Sequence, residues 1–206
     1  MDAEDVRFVI VRHGQTRSNR ERIIQGWRNT ELDETGIAQA RAAAAALADV
    51  HFDAAYSSDL NRAMMTARIV LESHPGVSPV PCKELREWHL GCIEGLTWEE
   101  VERDYPDFPK AFADEYSPFR LEGAETREEL QARIRGFFMR TALENPGKTI
   151  AVFTHGGVLK RIFRMVTGPL DPENEIAYTE NASISEILFR AHRRGWLLRQ
   201  WNLKPY

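Results

Sequence analysis

Three short apolar runs, each followed by residues with helical periodicity, constrain the fold of this 206-residue chain more than any other feature. The runs cover residues 7–11, 53–57 and 149–154. Their almost continuous apolar character is typical of parallel strands that are buried on both faces. Apolar residues at helical spacing predict helices at 34–49, 59–72, 127–144 and 157–167. Strands that alternate with helices predict a layered α/β fold.

Two later segments add to this outline. Apolar stretches at 183–189 and 195–201 flank the polar sequence RAHRR and predict an antiparallel hairpin, so we expect a mixed sheet. The segment 98–124 is rich in proline, acidic and aromatic residues, and we predict an irregular helical excursion that covers a pocket. Its aromatic residues are Tyr105, Phe108, Phe112, Tyr116 and Phe119, besides Trp98. We expect residues 1–206 to form one domain.

Composition and charge argue against several classes of protein. Hydrophobic residues make up 43% of the chain and charged residues 28%, as in ordinary soluble globular proteins. The net charge of −4 argues against a general binder of nucleic acids or anionic membranes. The two cysteines imply no disulfide framework, and the sequence predicts neither a signal peptide nor a membrane span. We therefore expect a soluble cytoplasmic protein.

Charged residues and glycines stand where the predicted strands end. The first strand ends on Arg12 and His13, in VIVRHG, and the third ends on His155, in AVFTHGG. Arg62 lies one helical turn after the second strand, in AAYSSDLNRA, and Glu87 lies within LREWHLGCIEG. Functional groups of α/β proteins gather beyond the C-terminal ends of the strands. We therefore expect these five side chains to form one site.

Two imidazoles, two guanidiniums and a carboxyl group suit the transfer of a phosphoryl group, in which catalysis is largely positioning and charge stabilisation. Arg12 and Arg62 can donate several hydrogen bonds to phosphoryl oxygens. A neutral histidine is a competent nucleophile at pH 7 because its unperturbed pKa is about 6.5, and flanking cations favour the neutral form. Glu87 is the candidate acid for the leaving alkoxide and the candidate base for the attacking water.

These motifs resemble those of the histidine phosphatase superfamily, also called the phosphoglycerate mutase-like family. The resemblance rests on RHGQT followed by Asn19, on QG at Gln25 and Gly26, and on SSDLNRA, LREWHLGCIEG and THGG. It extends from Arg12 to the segment NASISEILF, which begins at Asn181. It implies a three-layer α/β/α sandwich with a mixed, mostly parallel central sheet, and no metal or other cofactor.

The resemblance also implies roles for individual residues. His13 is expected to be phosphorylated transiently on a ring nitrogen, and Glu87 to transfer the proton. Arg12, Arg62 and His155 are expected to bind the phosphoryl group, and Asn19 to line its pocket. Further residues near these motifs are candidates to line the pocket, namely Gln25, Gly26, Trp27, His89 and Gly156. The chain departs from the family pattern at Asp33, where Thr or Ser is common, and at EGAET, where GGES is usual.

Three alternatives accompany the prediction of a phosphatase that acts on a small phosphorylated metabolite. Mutases of this family share the first step, but they are usually longer, so the chain resembles the shorter phosphatase branch. A module that only binds phosphate would typically lack a catalytic residue. A zinc hydrolase is the third, because His13, His89, His155 and Cys92 are suitable ligand types, although no short paired spacing such as HxxxH occurs. The C-terminal hairpin offers an edge for a homodimer.

Overall fold

The protein is built on a six-stranded sheet, as a computed structural model that describes residues 4–114, 117–168 and 178–206 shows. The strands are β1 (Val6–Arg12), β2 (Ala54–Ser58), β3 (Pro79–Cys82), β4 (Thr149–Thr154), β5 (Ile184–Arg190) and β6 (Gly195–Leu203). They lie in the order β3-β2-β4-β1-β5-β6, and β5 runs in the opposite direction to the other five, antiparallel to β1 and to β6. The predicted mixed, mostly parallel sheet is confirmed.

Helices cover both faces of this sheet. They are α1 (Arg17–Arg20), α2 (Glu34–Leu47), α3 (Asn61–Leu71), α4 (Trp98–Asp104), α5 (Phe108–Ala113), α6 (Arg127–Glu144) and α7 (Gly156–Thr167). Adjacent residues of β1 belong to different apolar clusters, because successive side chains of a strand point to opposite faces. Phe8 and Ile10 pack with α6 and α7, whereas Val9 and Val11 pack with α2 and α3. The predicted α/β/α sandwich is therefore confirmed.

The predicted elements differ from the observed ones mainly at their ends. The predicted helix 59–72 begins two residues later, because Ser58 Oγ accepts a hydrogen bond from the Leu60 N–H and forms a turn before α3. Asp33 caps α2, where its Oδ1 accepts from the Gly36 N–H at 2.8 Å. The short edge strand β3 was not predicted, since Pro79 and Pro81 argue against a strand; prolines are tolerated at a sheet edge.

The excursion at 98–124 contains the two short helices α4 and α5 within its described part, and Tyr116 lies outside the described residues. It forms a third apolar cluster with the segment that follows Glu87. Phe108 and Val101 pack there with Leu90, and the Phe112 ring stacks on Trp88 with centroids 5.5 Å apart. The excursion is thus attached beside Glu87, and its role as a cover stays a prediction.

The two edges of the sheet are β3 and β6. Leu197 and Leu203 on β6 are 43% and 46% exposed, so this edge presents apolar surface. The predicted homodimer remains a prediction. Within the three described ranges, no helix is both long and apolar enough to cross a membrane.

Candidate active site

The main chain at the end of β1 is fixed on both sides. The His13 N–H donates to the Thr154 carbonyl of β4 at 2.9 Å. The His13 carbonyl accepts from the Ala182 N–H at 3.1 Å and from Asn181 Nδ2 at 3.0 Å. Because β4 and the segment just before β5 hold the two peptide groups, the direction of the His13 side chain is set by the main chain around it.

The chain turns away immediately after His13 because a glycine allows a close approach. The Gly14 N–H donates to Thr66 Oγ1 on α3 at 3.1 Å. A Cβ atom at Gly14 would lie 2.4 Å from the Gly36 carbonyl oxygen, and a Cβ at Gly36 would lie 2.0 Å from that of Gln15. The turn therefore packs main chain against main chain at the start of α2, which only glycines permit.

The hydrogen bond of His13 determines which ring nitrogen can react. Nδ1 lies 2.7 Å from the Gly14 carbonyl oxygen. A carbonyl oxygen can only accept, so Nδ1 carries the proton and the neutral ring has its lone pair on Nε2. The ring is 2% exposed. A buried, oriented Nε2 lone pair is what a nucleophile on phosphorus requires.

His155 stands at the corresponding end of β4, beside His13. The two rings have centroids 5.2 Å apart. Arg62 Nε donates to His155 Nδ1 at 3.2 Å, so the proton of neutral His155 is on Nε2, which lies 2.8 Å from Ser58 Oγ. Both ring nitrogens are therefore engaged with protein. The predicted contact of His155 with a phosphoryl group requires its Nε2–H to exchange Ser58 Oγ for a ligand oxygen.

Arg62 is fully buried and is held chiefly by main-chain carbonyls. Nη1 donates to the Arg28 carbonyl at 2.9 Å and to Thr30 Oγ1 at 3.5 Å, and Nη2 donates to the Gly26 carbonyl at 2.8 Å. With the bond to His155, these contacts occupy four of the five N–H groups, which leaves one for a ligand as far as the described residues go. The guanidinium is preorganised rather than free to reorient.

Arg12 supplies the second guanidinium. Nη1 donates to the Thr179 carbonyl, whereas its buried Nε has no hydrogen-bond partner among the residues that the structure describes. A Cβ on Gly156 would lie 3.5 Å from Arg12 Cζ, at ordinary van der Waals distance, so the start of α7 packs directly beside this guanidinium. An unpaired buried donor on a cation costs free energy unless an anion binds it.

Glu87 faces the same site from the segment after β3. Its Oε1 accepts from the Trp88 N–H at 2.8 Å, and its Oε2 accepts from the Gly157 N–H at 3.2 Å. Gly157 lies in the first turn of α7, where main-chain N–H groups are available to an acceptor. A Cβ on Gly157 would come within 2.3 Å of Glu87 Oε1, so a side chain there would displace the Glu87 carboxylate. The five predicted catalytic residues are thus brought together.

The electrostatics of the site follow from burial and from the two cations. Burial, then Arg62 and Arg12, hold the pKa of His13 well below 6.5. Burial and Arg62 likewise hold the pKa of His155 well below 6.5. Burial lowers the pKa of Arg62 to about 10, so it remains charged at pH 7. Two cations beside two neutral imidazoles form a site for an anion.

The depressed pKa values of His13 and His155 predict a loss of stability in acid. Below pH 6.5, the ordinary value, the unfolded chain binds protons that the folded protein excludes. The free energy of unfolding should therefore fall by about 1.4 kcal/mol per pH unit for each such histidine. Urea denaturation between pH 6.5 and about pH 5 measures this slope. His13→Gln should make it shallower by about 1.4 kcal/mol per unit, and an unchanged slope would contradict a buried neutral His13.

Three of the predicted pocket residues, Asn19, Gln25 and Gly26, form hydrogen bonds within the protein. Asn19 Oδ1 accepts from the Thr16 N–H at 3.1 Å and belongs to the cap of α1. Gln25 Oε1 accepts from Thr16 Oγ1 at 3.0 Å and from Thr30 Oγ1 at 2.6 Å. Gly26 has φ +48° and gives its carbonyl to Arg62. These residues hold the loop that surrounds the Arg62 guanidinium.

Trp27 and His89 form a half-buried pair beside Glu87. Trp27 Nε1 donates to the Glu87 carbonyl at 2.7 Å, and the Trp27 and His89 rings have centroids 4.7 Å apart. Glu94, which the sequence did not indicate, accepts from the Trp27 N–H at 3.0 Å and from the Leu90 N–H at 2.9 Å through Oε1. Within the described ranges, no three His, Cys, Asp or Glu side chains are grouped to hold a metal ion, so the ligands of the zinc alternative are not assembled.

Comparison with known proteins agrees with this geometry. The family model described as "Histidine phosphatase superfamily (branch 1)" matches residues 8–204. The chain belongs to the histidine phosphatase superfamily. The predicted family and enzyme class are confirmed at that level. A member from Arabidopsis thaliana, the metal-independent phosphoserine phosphatase, is 32% identical over 98% of this chain and 83% of its own length.

Two further relatives bear on the branch of the superfamily. A mycobacterial glucosyl-3-phosphoglycerate phosphatase, whose structure contains VO3, superposes with a TM-score of 0.83 and 31% identity over 96% of this chain and 98% of its own. The 2,3-bisphosphoglycerate-dependent phosphoglycerate mutase of Azorhizobium caulinodans is 31% identical over 89% of this chain and 91% of its own length. Length therefore does not separate this chain from every mutase, contrary to the expectation from the sequence.

Proposed function

We propose that this protein hydrolyses small phosphate monoesters through a phosphohistidine formed at Nε2 of His13. The observation that carries the proposal is the hydrogen bond from His13 Nδ1 to the Gly14 carbonyl, which leaves the lone pair on Nε2 in a site that contains the buried Arg62 and the partly buried Arg12. The phosphatases among the relatives support hydrolysis. The proposed substrate is a small phosphorylated metabolite, and the acidic net charge argues against nucleic acid.

The proposed first step transfers the phosphoryl group to the protein. The Nε2 lone pair of His13 forms a P–N bond while the bond between phosphorus and the ester oxygen breaks. Glu87, protonated, gives its proton to the leaving alkoxide. The unpaired Nε–H of Arg12 and the remaining N–H of Arg62 donate to the phosphoryl oxygens and stabilise their charge.

The proposed second step restores the protein. Water attacks the phosphorus of phosphohistidine, the P–N bond breaks, and the electron pair returns to Nε2 of His13. The Glu87 carboxylate takes the proton from the attacking water, so both groups end in their starting states. No redox change occurs, and water is the one reactant added. His155 orients the Arg62 guanidinium through the bond between its Nδ1 and Arg62 Nε.

The Azorhizobium mutase supports one second candidate, transfer of the phosphoryl group to another substrate hydroxyl instead of water. A phosphate-release screen, run with and without a chelator, decides between hydrolysis and this transfer. Its substrates are phosphoserine, 3-phosphoglycerate, glucosyl-3-phosphoglycerate and simple alkyl phosphates. We expect release without need of a divalent metal and inhibition by vanadate. Rapid isomerisation of phosphoglycerate without release would favour the mutase, and phosphate binding without turnover would favour a binding module.

Glu87→Gln tests the proposed proton donor. The amide keeps the shape of the side chain, and its one oxygen can still accept from either the Trp88 or the Gly157 N–H group, the other of which would face the amide NH2. It cannot donate the proton that the leaving alkoxide needs, so kcat for an alkyl phosphate should fall by about 10²- to 10⁴-fold. Inhibition by inorganic phosphate should stay within about threefold. A variant that instead lost phosphate binding would show that Glu87 has a different role.

A further inference from the structure

The motif EGAET, which the proposed function does not use, contains one half of a well-formed ion pair. Glu125 Oε1 accepts from Arg133 Nε at 2.5 Å, and Glu125 Oε2 accepts from Arg133 Nη2 at 2.8 Å. The Arg133 side chain is 16% exposed and the Glu125 side chain 12% exposed. Arg133 lies on the face of α6 that buries Leu130 and Ile134. A cation on that face needs partners, because burial removes its hydration.

The other N–H groups of Arg133 all point to the segment that carries Glu87. Nη1 donates to the Glu84 carbonyl at 2.7 Å and to the Arg86 carbonyl at 2.8 Å. Nη2 donates to the Glu87 carbonyl at 2.9 Å. All five N–H groups of this guanidinium are therefore used, two on a carboxylate and three on main-chain oxygens.

Glu125 adds contacts of its own to the residues that follow Glu87. Its carbonyl accepts from Trp88 Nε1 at 2.7 Å, and its N–H donates to the His89 carbonyl at 3.0 Å. Arg133 and Glu125 together thus contact five of the six residues from 84 to 89. Glu87 itself lies between two short 3₁₀ turns, outside the sheet and the α-helices. Regular main-chain hydrogen bonding does not fix this segment, so side chains must do so.

We propose that Arg133 and Glu125 are positioning residues that hold Glu87 where it can protonate the leaving group. The inference rests on the proposed function, in which Glu87 is the acid. A proton donor acts only within hydrogen-bond reach of the oxygen it protonates, and a displacement of about 1 Å costs about a hundredfold in rate. The pair therefore governs the proton transfers of Glu87, of which protonation of the leaving group limits kcat/KM, and has little part in the attack by His13.

The proposal is tested by comparing leaving groups. An alkyl phosphate needs a proton for its alkoxide, whereas the phenolate of p-nitrophenyl phosphate leaves without one. In Arg133→Met we expect kcat/KM to fall about 30- to 100-fold for glycerol 3-phosphate and by less than about fivefold for p-nitrophenyl phosphate. Glu125→Gln removes the charge of the partner. Its kcat/KM should also fall more for glycerol 3-phosphate than for p-nitrophenyl phosphate, but by a smaller factor than in Arg133→Met. Circular dichroism identifies any variant that does not fold. If Arg133→Met does not fold, Arg133→Lys replaces it.

Arg140→Met is the matched control. Arg140 also lies on α6 and pairs with the Glu84 carboxylate at 2.9 Å, but its side chain is 49% exposed. Arg140→Met should change kcat/KM by less than about twofold for both substrates. Equal losses on the two substrates in Arg133→Met, or the same preference in Arg140→Met, would overturn the proposal.

The double variant Arg133→Met/Glu87→Gln tests whether Arg133 acts through Glu87. It should be no slower than Glu87→Gln on glycerol 3-phosphate, because residues that act as a unit are not additive. If the loss of rate in the double variant equals the product of the losses in the two single variants, the positioning role is overturned. The proposed function fails separately if the wild type releases no phosphate from either ester. If Glu87→Gln itself does not discriminate between them, Glu87 is not the acid and the positioning role falls with it.

Discussion

His13→Ala should abolish phosphate release, with kcat lowered by about 10⁴-fold or more, because it removes the nucleophile. Alanine removes the ring whose Nδ1 is held by the Gly14 carbonyl and whose Nε2 faces the site. The cations Arg12 and Arg62 remain, so inorganic phosphate should still bind within about tenfold of the wild-type affinity. Steady-state phosphate release measures kcat, and isothermal titration calorimetry with inorganic phosphate measures the affinity of the inactive variant.

His51→Ala is the control for this variant. The His51 side chain is 86% exposed and lies just before β2, at the opposite end of that strand from Ser58 and the site. It should retain wild-type kcat within about twofold. A His13→Ala protein that kept more than about a hundredth of the wild-type kcat would contradict the nucleophilic role of His13.

Gly36→Ala should destabilise the protein by about 3 kcal/mol, because the added methyl group meets main chain that cannot yield. Its Cβ would lie 2.0 Å from the Gln15 carbonyl oxygen. The clash would push the turn after His13 away from α2, so we also expect kcat to fall. Urea denaturation gives the free energy of unfolding, and the phosphate-release assay gives kcat.

Gly136→Ala is the matched control, since Gly136 is also a helical glycine but a Cβ there meets nothing within 4 Å. It should stabilise the protein by about 0.5–1 kcal/mol through the helix propensity of alanine. Both substitutions restrict the unfolded chain equally, so their difference reports the close contact at Gly36. Equal effects on stability would show that the main-chain contact between α2 and the turn is absent.

The site could be predicted from the sequence because one motif combines an apolar, buried strand with charged residues. The apolar run Phe8–Val11 required a buried strand, and Arg12 after it required an anion, so the position of His13 followed from the general rule for α/β sheets. The same signal exists at Arg133, a cation on the apolar face of the predicted helix 127–144. A charged residue on a core-facing stripe is a usable indication of a buried ion pair.

Other features had no sequence signal. Arg62 is held by the carbonyls of Gly26 and Arg28, and main-chain oxygens are the same whatever the side chain. These contacts of Arg62, and those of Arg133 with the carbonyls of Glu84, Arg86 and Glu87, therefore depend on the fold. Strand β3 was missed because Pro79 and Pro81 break the pattern of a strand, and only a place at the sheet edge makes them acceptable.

The central claim is that His13 carries the phosphoryl group during turnover, and trapping that group tests it most directly. Wild-type protein is mixed with glycerol 3-phosphate, quenched in alkali within the first turnover, digested, and analysed by mass spectrometry. We predict a phosphoryl group on the peptide that contains His13, stable in alkali and lost in acid, and absent from His13→Ala. Full turnover with no label on His13, or a label on another residue, would contradict the account.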